Sequence, residues 1–292
     1  MSLRIIIFFI FSFLPLTGFS EIYTANTVAE INNSIINSVA NRNPQKALVI
    51  IPLEHFLIEP SDDAFYAKNE KLESIIRKLI KKIKSSKREY LEELILTEYG
   101  KRFSDPSIPD FMKNLRKINI PLIVVTKNTS GNFNNIPYLE VWTVQYLREQ
   151  GIDISQSPIG MHQIIFDKQF KKVKGTYPTF FNGLLSCNTG DNENSPQSII
   201  TSLLAINLKL IPKIDIVYII DKNEGYIKSL KQQFQSIRSD IQVEGYVYSP
   251  IYKNNVSIDP KEYKIFWEKL IDKLNLVSRK EISGQAEDPY ER

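Results

Sequence analysis

Cysteine, histidine and glycine are scarce in this sequence, and each shortage excludes a class of protein. One Cys and two His among 292 residues are too few for a disulfide framework or a Cys/His zinc site. Gly accounts for only 11 residues, well below the usual ~7%, which argues against Gly-rich repeats and linkers. The 37 Lys and Arg against 33 Asp and Glu give a formal net charge of +4. That excess is too small for the basic face of a nucleic-acid binder, so we expect no nucleic-acid partner.

Long hydrophobic runs are also absent, apart from one near the start of the chain. Arg4 precedes an apolar stretch of about 12 residues, shorter than the ~20 that a membrane-spanning helix needs. Gly18 and Ser20 then stand at the minus-three and minus-one positions of a cleavage site. This pattern predicts a secretory signal peptide over residues 1–20, with an uncleaved N-terminal anchor as the alternative. We therefore expect a periplasmic or secreted protein with no membrane span after cleavage.

The remaining composition is that of a globular protein, with 42% hydrophobic and 24% charged residues. Buried-strand patterns alternate with helical periodicity along the chain, which predicts an α/β fold with a doubly wound, mostly parallel sheet. The predicted strands cover residues 47–51, 121–126, 163–166, 180–187, 215–220 and 243–248. The predicted helices cover residues 69–88, 89–102, 108–117, 136–150, 195–208, 223–237 and 259–276.

Roughly 65 residues separate the first two predicted strands, more than a simple crossover requires. They indicate a helical cap over residues 61–117, inserted at the carboxyl edge of the sheet, where ligands bind in this architecture. The α/β core then comprises residues 21–60 and 118–278, and residues 279–292 form a frayed tail. The basic face of the helix at 69–88 is typical of a solvated surface, with an anionic partner as the less favoured interpretation.

The single thiol, Cys187, lies in a predicted strand with no His nearby in the sequence. Free Cys is among the most buried residue types, and an activated thiol needs a base or a positive environment. We therefore expect Cys187 to pack in the core and not to act as a nucleophile.

Four short segments follow predicted strands and stand where chemistry is expected. They are Pro52–His55 after the first strand, Thr126 at the end of the second, the loop at 186–196, and Ile220–Asp221 at the end of a later strand. With the cap after the first strand, this layout resembles the haloacid-dehalogenase-like (HAD) phosphatase superfamily. More narrowly, it resembles an uncharacterised family of bacterial HAD-like proteins that carry signal peptides. The resemblance covers about residues 46–275.

The resemblance implies roles for the positions after the first strand. In that superfamily the first strand is followed by a nucleophilic Asp, which forms an aspartyl-phosphate, and two residues later by a general acid-base Asp. Pro52 stands at the nucleophile position and Glu54 at the acid-base position. Proline has no nucleophilic side chain, so the superfamily's chemistry cannot proceed through position 52. His55 could act as a base, although a hydrogen-bonded loop His is favoured.

The other three motifs are also incomplete. Thr126 matches the hydroxyl that donates to the phosphoryl group, but strand propensity explains a Thr there equally well. The loop at 186–196 has no Lys to neutralise a phosphate; its Asp191 and Glu193 indicate a surface loop, with a hard-cation site as the alternative. Asp221 matches one of the two magnesium-binding acids and Ile220 replaces the other, so only Asp221 and Glu54 could hold the metal.

Together these departures predict a catalytically degenerate HAD-like protein that binds a small anionic ligand or a protein partner. None of the positions Pro52, Glu54, His55 and Thr126 is assigned as catalytic with this interpretation. We expect no cofactor, and magnesium at most weakly bound. The alternative is a magnesium-dependent, phosphatase-like hydrolase that uses Glu54, His55 and Asp221 in the same cleft.

Overall fold

A computed structural model describes residues 21–66, 70–88, 90–156, 161–173, 175–188, 195–206, 213–250 and 257–277. The predicted signal peptide, the predicted tail at 279–292, and Asp191 and Glu193 lie outside these ranges. No helix within the described ranges is both long and apolar enough to cross a membrane.

In the described part of the chain, eight strands form one sheet and two more form a small antiparallel pair. The sheet contains β1 (Ile22–Ala25), β2 (Ala47–Pro52), β5 (Leu122–Thr126), β6 (Gln163–Ile165), β7 (Thr179–Phe181), β8 (Leu184–Ser186), β9 (Ile216–Asp221) and β10 (Gln242–Tyr248). The pair is β3 (Ile58–Pro60) with β4 (Lys101–Phe103). The sheet order is β1-β10-β9-β2-β5-β8-β7-β6, and every pairing from β1 to β8 is parallel. The predicted doubly wound, mostly parallel sheet is therefore confirmed.

Helices cover both faces of this sheet. They are α1 (Val28–Val39), α2 (Glu70–Ile80), α3 (Ser85–Arg88), α4 (Leu91–Glu98), α5 (Ile108–Lys117), α6 (Leu139–Glu149), α7 (Pro196–Ile206), α8 (Glu224–Ile237) and α9 (Pro260–Leu276). Successive side chains of a strand point to opposite faces. Val49 and Ile51 of β2 accordingly join an apolar cluster with α1, α5, α6 and α9, whereas Leu48 and Ile50 join another with α7 and α8.

The prediction of a single strand over residues 180–187 is wrong. Two antiparallel strands, β7 and β8, are joined there by Asn182 and Gly183, whose φ angles are 44° and 94°. Positive φ at both central residues is the requirement of a tight two-residue hairpin turn, and Asn-Gly is its preferred sequence. A side chain at Gly183 would also collide with the backbone of Ile154. The turn signal was present in the sequence, but the continuous apolar run on both sides concealed it.

Other differences concern short elements. The strand β1 and the helix α1 are not among the predicted elements, and the predicted helix at 89–102 consists of α4 followed by β4. Within the predicted cap, α2 and α3 pack against α9, whereas α5 packs against α1 beside the sheet. The limits of the cap at 61 and 117 stay a prediction.

The strand order places a reversal point beside β2. From β2 the chain continues to β5 and to the edge strand β6, comes back through β7 and β8, and then crosses to β9 on the other side of β2. In open α/β sheets, ligands bind outside the carboxyl ends of the strands at such a reversal. A ligand site is therefore expected at the carboxyl ends of β2 and β9.

Candidate functional site

A cleft of about 320 Å³ opens at this reversal point. Its floor contains the carboxyl-end residues Pro52 of β2, Val125 of β5, Asp221 of β9 and Tyr248 of β10. Asn223 just before α8, Tyr226 of α8 and the α4 side chains Glu92, Ile95 and Leu96 form part of the walls. Five of the positions singled out from the sequence line this one cleft: Pro52, Glu54, His55, Ile220 and Asp221. Thr126 does not line the cleft but contacts Glu54.

A short loop after β2 positions Glu54. The backbone N–H of His55 donates to the carbonyl oxygen of Ile58 at 2.9 Å, and the N–H of Ile58 donates to the carbonyl of Leu53 at 3.0 Å. His55 adopts the left-handed conformation with φ 64°, which is uncommon for a residue with a side chain. The loop leaves Glu54 half-buried and His55 exposed, both on the cleft wall.

Two donors hold one oxygen of the Glu54 carboxyl group. The Thr126 hydroxyl donates to Oε1, and the Asn128 side-chain amide donates to the same oxygen at 3.0 Å. The Thr126 hydroxyl itself accepts the backbone N–H of Asn128 at 3.0 Å. Because the Thr126 oxygen accepts this N–H, the single hydrogen of its hydroxyl is available to donate to Glu54. With two bonds accepted at Oε1, Oε2 is the oxygen of Glu54 that can gain or release a proton.

Two carboxyl groups of the cleft, those of Glu54 and Asp221, have raised pKa values. The pKa of Glu54 is raised to about 7: burial is the main cause and Glu92 adds to it, while the Thr126 hydrogen bond and the charge of Lys127 partly oppose the shift. Burial also raises the pKa of Asp221. Three groups partly oppose this shift: the backbone N–H of Asn223, which donates to Asp221 Oδ1 at 2.7 Å, and the charges of Lys127 and Lys222. A carboxyl group with a pKa near 7 can exchange a proton at neutral pH.

The loop after β5 is held in place by side chains from four other segments. Glu54 binds Thr126 and Asn128, and Glu93 of α4 accepts from the Thr129 hydroxyl at 3.1 Å. The carbonyl oxygen of the Asn188 side chain accepts the N–H of Ser130 at 2.9 Å, and Glu140 of α6 accepts the N–H of Gly131 at 2.6 Å. Within residues 122–131 only Lys127 is exposed, and it lines the cleft.

Lys127 and Asn128 are the cleft-associated residues that the sequence-based motifs missed. Their signal in the sequence is position alone, since they directly follow Thr126 at the carboxyl end of a buried strand. Cys187 is fully buried in the apolar cluster with α7 and α8, as predicted. Burial raises the pKa of its thiol well above the usual range, so the reactive thiolate is disfavoured.

The described residues do not fit a magnesium centre well. Among them, no three His, Cys, Asp or Glu side chains come together as a metal site. Oε1 of Glu54 accepts from two donors, and burial favours the protonated form of this carboxyl group. The positive charge of Lys127 acts on both Glu54 and Asp221. Magnesium prefers ionised oxygen ligands, and weak magnesium binding at most stays a prediction.

Comparison with known proteins gives the family of this chain. Residues 24–281 match the family described as "Protein of unknown function (DUF2608)". The chain belongs to this family. An uncharacterised protein of Rickettsia bellii is 30% identical to this DUF2608 chain over 272 residues, covering 88% of the chain and 87% of the relative. The uncharacterised proteins RT0286 of Rickettsia typhi and RP295 of Rickettsia prowazekii are each 32% identical, covering 87% of the chain and 84% of each relative.

Among solved structures, the DUF2608 chain is similar to the HAD domain of the effector protein Lem4 from Legionella pneumophila. The TM-score is 0.36 and the sequence identity is 9%, over 78% of this chain and 97% of that domain. An inactive mutant of the same domain matches with the same TM-score and identity.

Proposed function

We propose that this protein is a catalytically degenerate, HAD-like binding protein whose ligand occupies the cleft at the ends of β2 and β9. The support is the coincidence of a cleft with the reversal point of the sheet. The cleft has an apolar lining and a few charged groups, which is the usual composition of a small-molecule site.

Pro52 is the observation on which the loss of phosphoryl transfer rests. It is the last residue of β2, it pairs in register with Val125, and it lines the cleft. The resemblance gives this position to the nucleophilic carboxylate, and proline cannot form an aspartyl-phosphate. Neither neighbouring nucleophile replaces it, because the Thr126 hydroxyl is hydrogen-bonded to Glu54 and Cys187 is buried as the thiol.

One observation favours a second candidate, a magnesium-dependent phosphatase-like hydrolase. Glu54, His55 and Asp221 line the same cleft, and the pKa of Glu54 of about 7 suits a general acid or base. In that reaction Glu54 Oε2 would deliver or accept the proton.

Phosphoryl transfer and phosphatase activity distinguish the two candidate functions. Purified residues 21–292 are incubated with acetyl phosphate and magnesium and examined by intact mass, and phosphatase activity is assayed in parallel. We expect no phosphoryl adduct and no turnover above that of Glu54→Ala. Glu224→Ala serves as the matched control, because Glu224 is exposed at the first position of α8 and does not line the cleft. Turnover that Glu54→Ala abolishes and Glu224→Ala preserves would establish the hydrolase instead.

Export is proposed on the sequence pattern of residues 1–20 alone. N-terminal sequencing of the protein recovered from outside the cytoplasm should begin at Glu21. Recovery of chains that still begin at Met1 would contradict cleavage.

A further inference from the structure

We propose that the cleft selects a small organic monocarboxylate, which Lys127 binds through its ammonium group while the hydrocarbon part lies against the apolar wall. This inference rests on the proposed binding function and adds the ligand class and the residue that recognises it. It follows from how the loop after β5 is built, from the balance of charges around the cleft and from the apolar side chains beside them.

The construction of the loop fixes the backbone that carries the Lys127 side chain at the cleft. Its neighbours Thr126, Asn128, Thr129 and Ser130 are all nearly inaccessible to solvent. Their hydrogen bonds go to Glu54, Glu93 and Asn188. The backbone on both sides of Lys127 is therefore constrained, and little entropy is lost there when a ligand binds.

The other cations of the cleft are placed differently. Lys101 donates to the carbonyl oxygen of Tyr99 at 3.0 Å, and its ammonium group lies 4.6 Å from the ring centre of Tyr146 and 5.3 Å from that of Trp142. Lys222 is exposed beside the start of α8. Lys127 is the cation whose charge acts on both central carboxyl groups, Glu54 and Asp221. We therefore expect Lys127 to be the cleft cation that holds a bound anion.

The balance of charges favours an anion with a single charge. Among the described residues, four carboxyl groups line the cleft, on Glu54, Glu59, Glu92 and Asp221, against three ammonium groups, on Lys101, Lys127 and Lys222. Arg102 lies 3.1 Å from Glu59 and compensates that carboxylate. A dianionic phosphate ester would add two negative charges near Glu92 and Asp221, with one central cation to offset them. A carboxylate adds one, which a single lysine can match.

The apolar wall accommodates the rest of the ligand. Phe65, Ile95, Tyr226 and Tyr248 line the cleft beside the charged groups. Burying hydrocarbon against such side chains supplies about 25 cal/mol for each Å² removed from water. The cleft is thus suited to an amphiphilic acid more than to a bare inorganic anion.

Three probes that share a phenyl tail test the proposal on residues 21–292. They are 3-phenylpropionate, the neutral 3-phenylpropionamide and 2-phenylethyl phosphate, titrated by NMR at pH 8, where the phosphate is a dianion. We expect the carboxylate to bind about tenfold more tightly than the amide, because an ionic hydrogen bond contributes roughly 1.5–3 kcal/mol. The phosphate should bind more weakly than the carboxylate.

Two lysine variants locate the interaction. Lys127→Met should reduce the preference for carboxylate over amide to less than about twofold. The matched control is Lys228→Met, because Lys228 lies on α8, outside the cleft lining, and pairs with Glu224 at 2.6 Å; it should leave the preference unchanged.

Three outcomes would overturn the inference: equal binding of carboxylate and amide, tighter binding of the phosphate, or a preference that survives Lys127→Met. Absence of binding by all three probes would overturn it as well. The outcome of the acetyl phosphate experiment does not depend on any of these binding results. Failure of this inference is therefore distinguishable from failure of the proposed non-catalytic function, which an adduct or a Glu54-dependent turnover would reveal.

Discussion

The loops that follow β2 and β5 adjoin the same cleft but differ in construction. The loop after β2 begins at Pro52, which has no reactive group, and continues to Glu54 and the exposed His55. The loop after β5 is almost entirely buried, and the carboxyl groups of Glu54, Glu93 and Glu140 accept its hydrogen bonds. The acids around this cleft therefore support a loop that presents a cation. In a phosphatase of the superfamily, acids at this edge would act on phosphorus and magnesium.

Among substitutions in and around these two loops, replacing Glu93 should cause the largest loss of stability, because its side chain is fully buried. Glu93→Ala should lower the free energy of unfolding by about 3 kcal/mol, since the Thr129 hydroxyl and N–H lose their acceptor and a cavity forms. Urea denaturation measures the change. Glu92→Ala is the control, because Glu92 is the exposed neighbour on the same helix, and it should change stability by less than about 0.5 kcal/mol. Equal losses in both variants would contradict a supporting role specific to Glu93.

The second largest effect is the pH dependence of the free energy of unfolding that is caused by Glu54. Folding raises its pKa from 4.5 to about 7, so the folded state holds the proton more tightly than the unfolded state. This stabilisation is complete below pH 4.5 and is lost as the pH rises through 7. The full shift corresponds to roughly 3 kcal/mol, and partial exposure of Glu54 should reduce it to roughly 1–2 kcal/mol.

Glu54→Gln removes the charge and keeps an acceptor for Thr126 and Asn128. Relative to wild type, the variant should be more stable by roughly 1–2 kcal/mol at pH 8 and similar at pH 4.5. Thermal unfolding across this pH range provides the measurement. Glu149→Gln, at the exposed end of α6, should keep the wild-type slope. If Glu54→Gln kept the wild-type dependence of stability on pH, another titrating group would be its cause.

These two loops also show what a sequence can predict. Buried parallel strands appear as continuous apolar runs, so β2, β5 and β9 were predictable, and so was the placement of Pro52 and Asp221 at one edge. Glu93 and Glu140 lie on helices with partly exposed faces. On such a helix a Glu in the sequence normally predicts a side chain that is exposed to solvent. The partner of Glu93 is 36 residues away in the chain. No local pattern encodes such a pairing, so the support of the loop, and with it the proposed role of Lys127, could be found only in the structure.

The third effect concerns the hydroxyl that joins the two loops. Thr126→Val preserves shape but removes the donor to Glu54 and the acceptor of the Asn128 N–H. We expect a loss of about 1 kcal/mol in stability. The pKa of Glu54 should also rise above 7, because the lost hydrogen bond favours the ionised form. NMR titration of the Glu54 carboxyl carbon measures this shift. Thr126→Ser should restore the wild-type pKa, and an unchanged pKa in Thr126→Val would contradict the bond.

The smallest effect on stability should come from Lys127 itself. Its side chain is exposed, whereas the backbone on both sides is held by Glu54, Glu93 and Asn188. Lys127→Met should therefore change the free energy of unfolding by less than about 0.5 kcal/mol. It should also raise the pKa values of Glu54 and Asp221, because the charge of Lys127 lowers both. Urea denaturation at pH 5, where Glu54 is mostly protonated in the folded state, separates the two effects. A loss above 1 kcal/mol at that pH would mean that Lys127 supports the fold and is not simply presented by it.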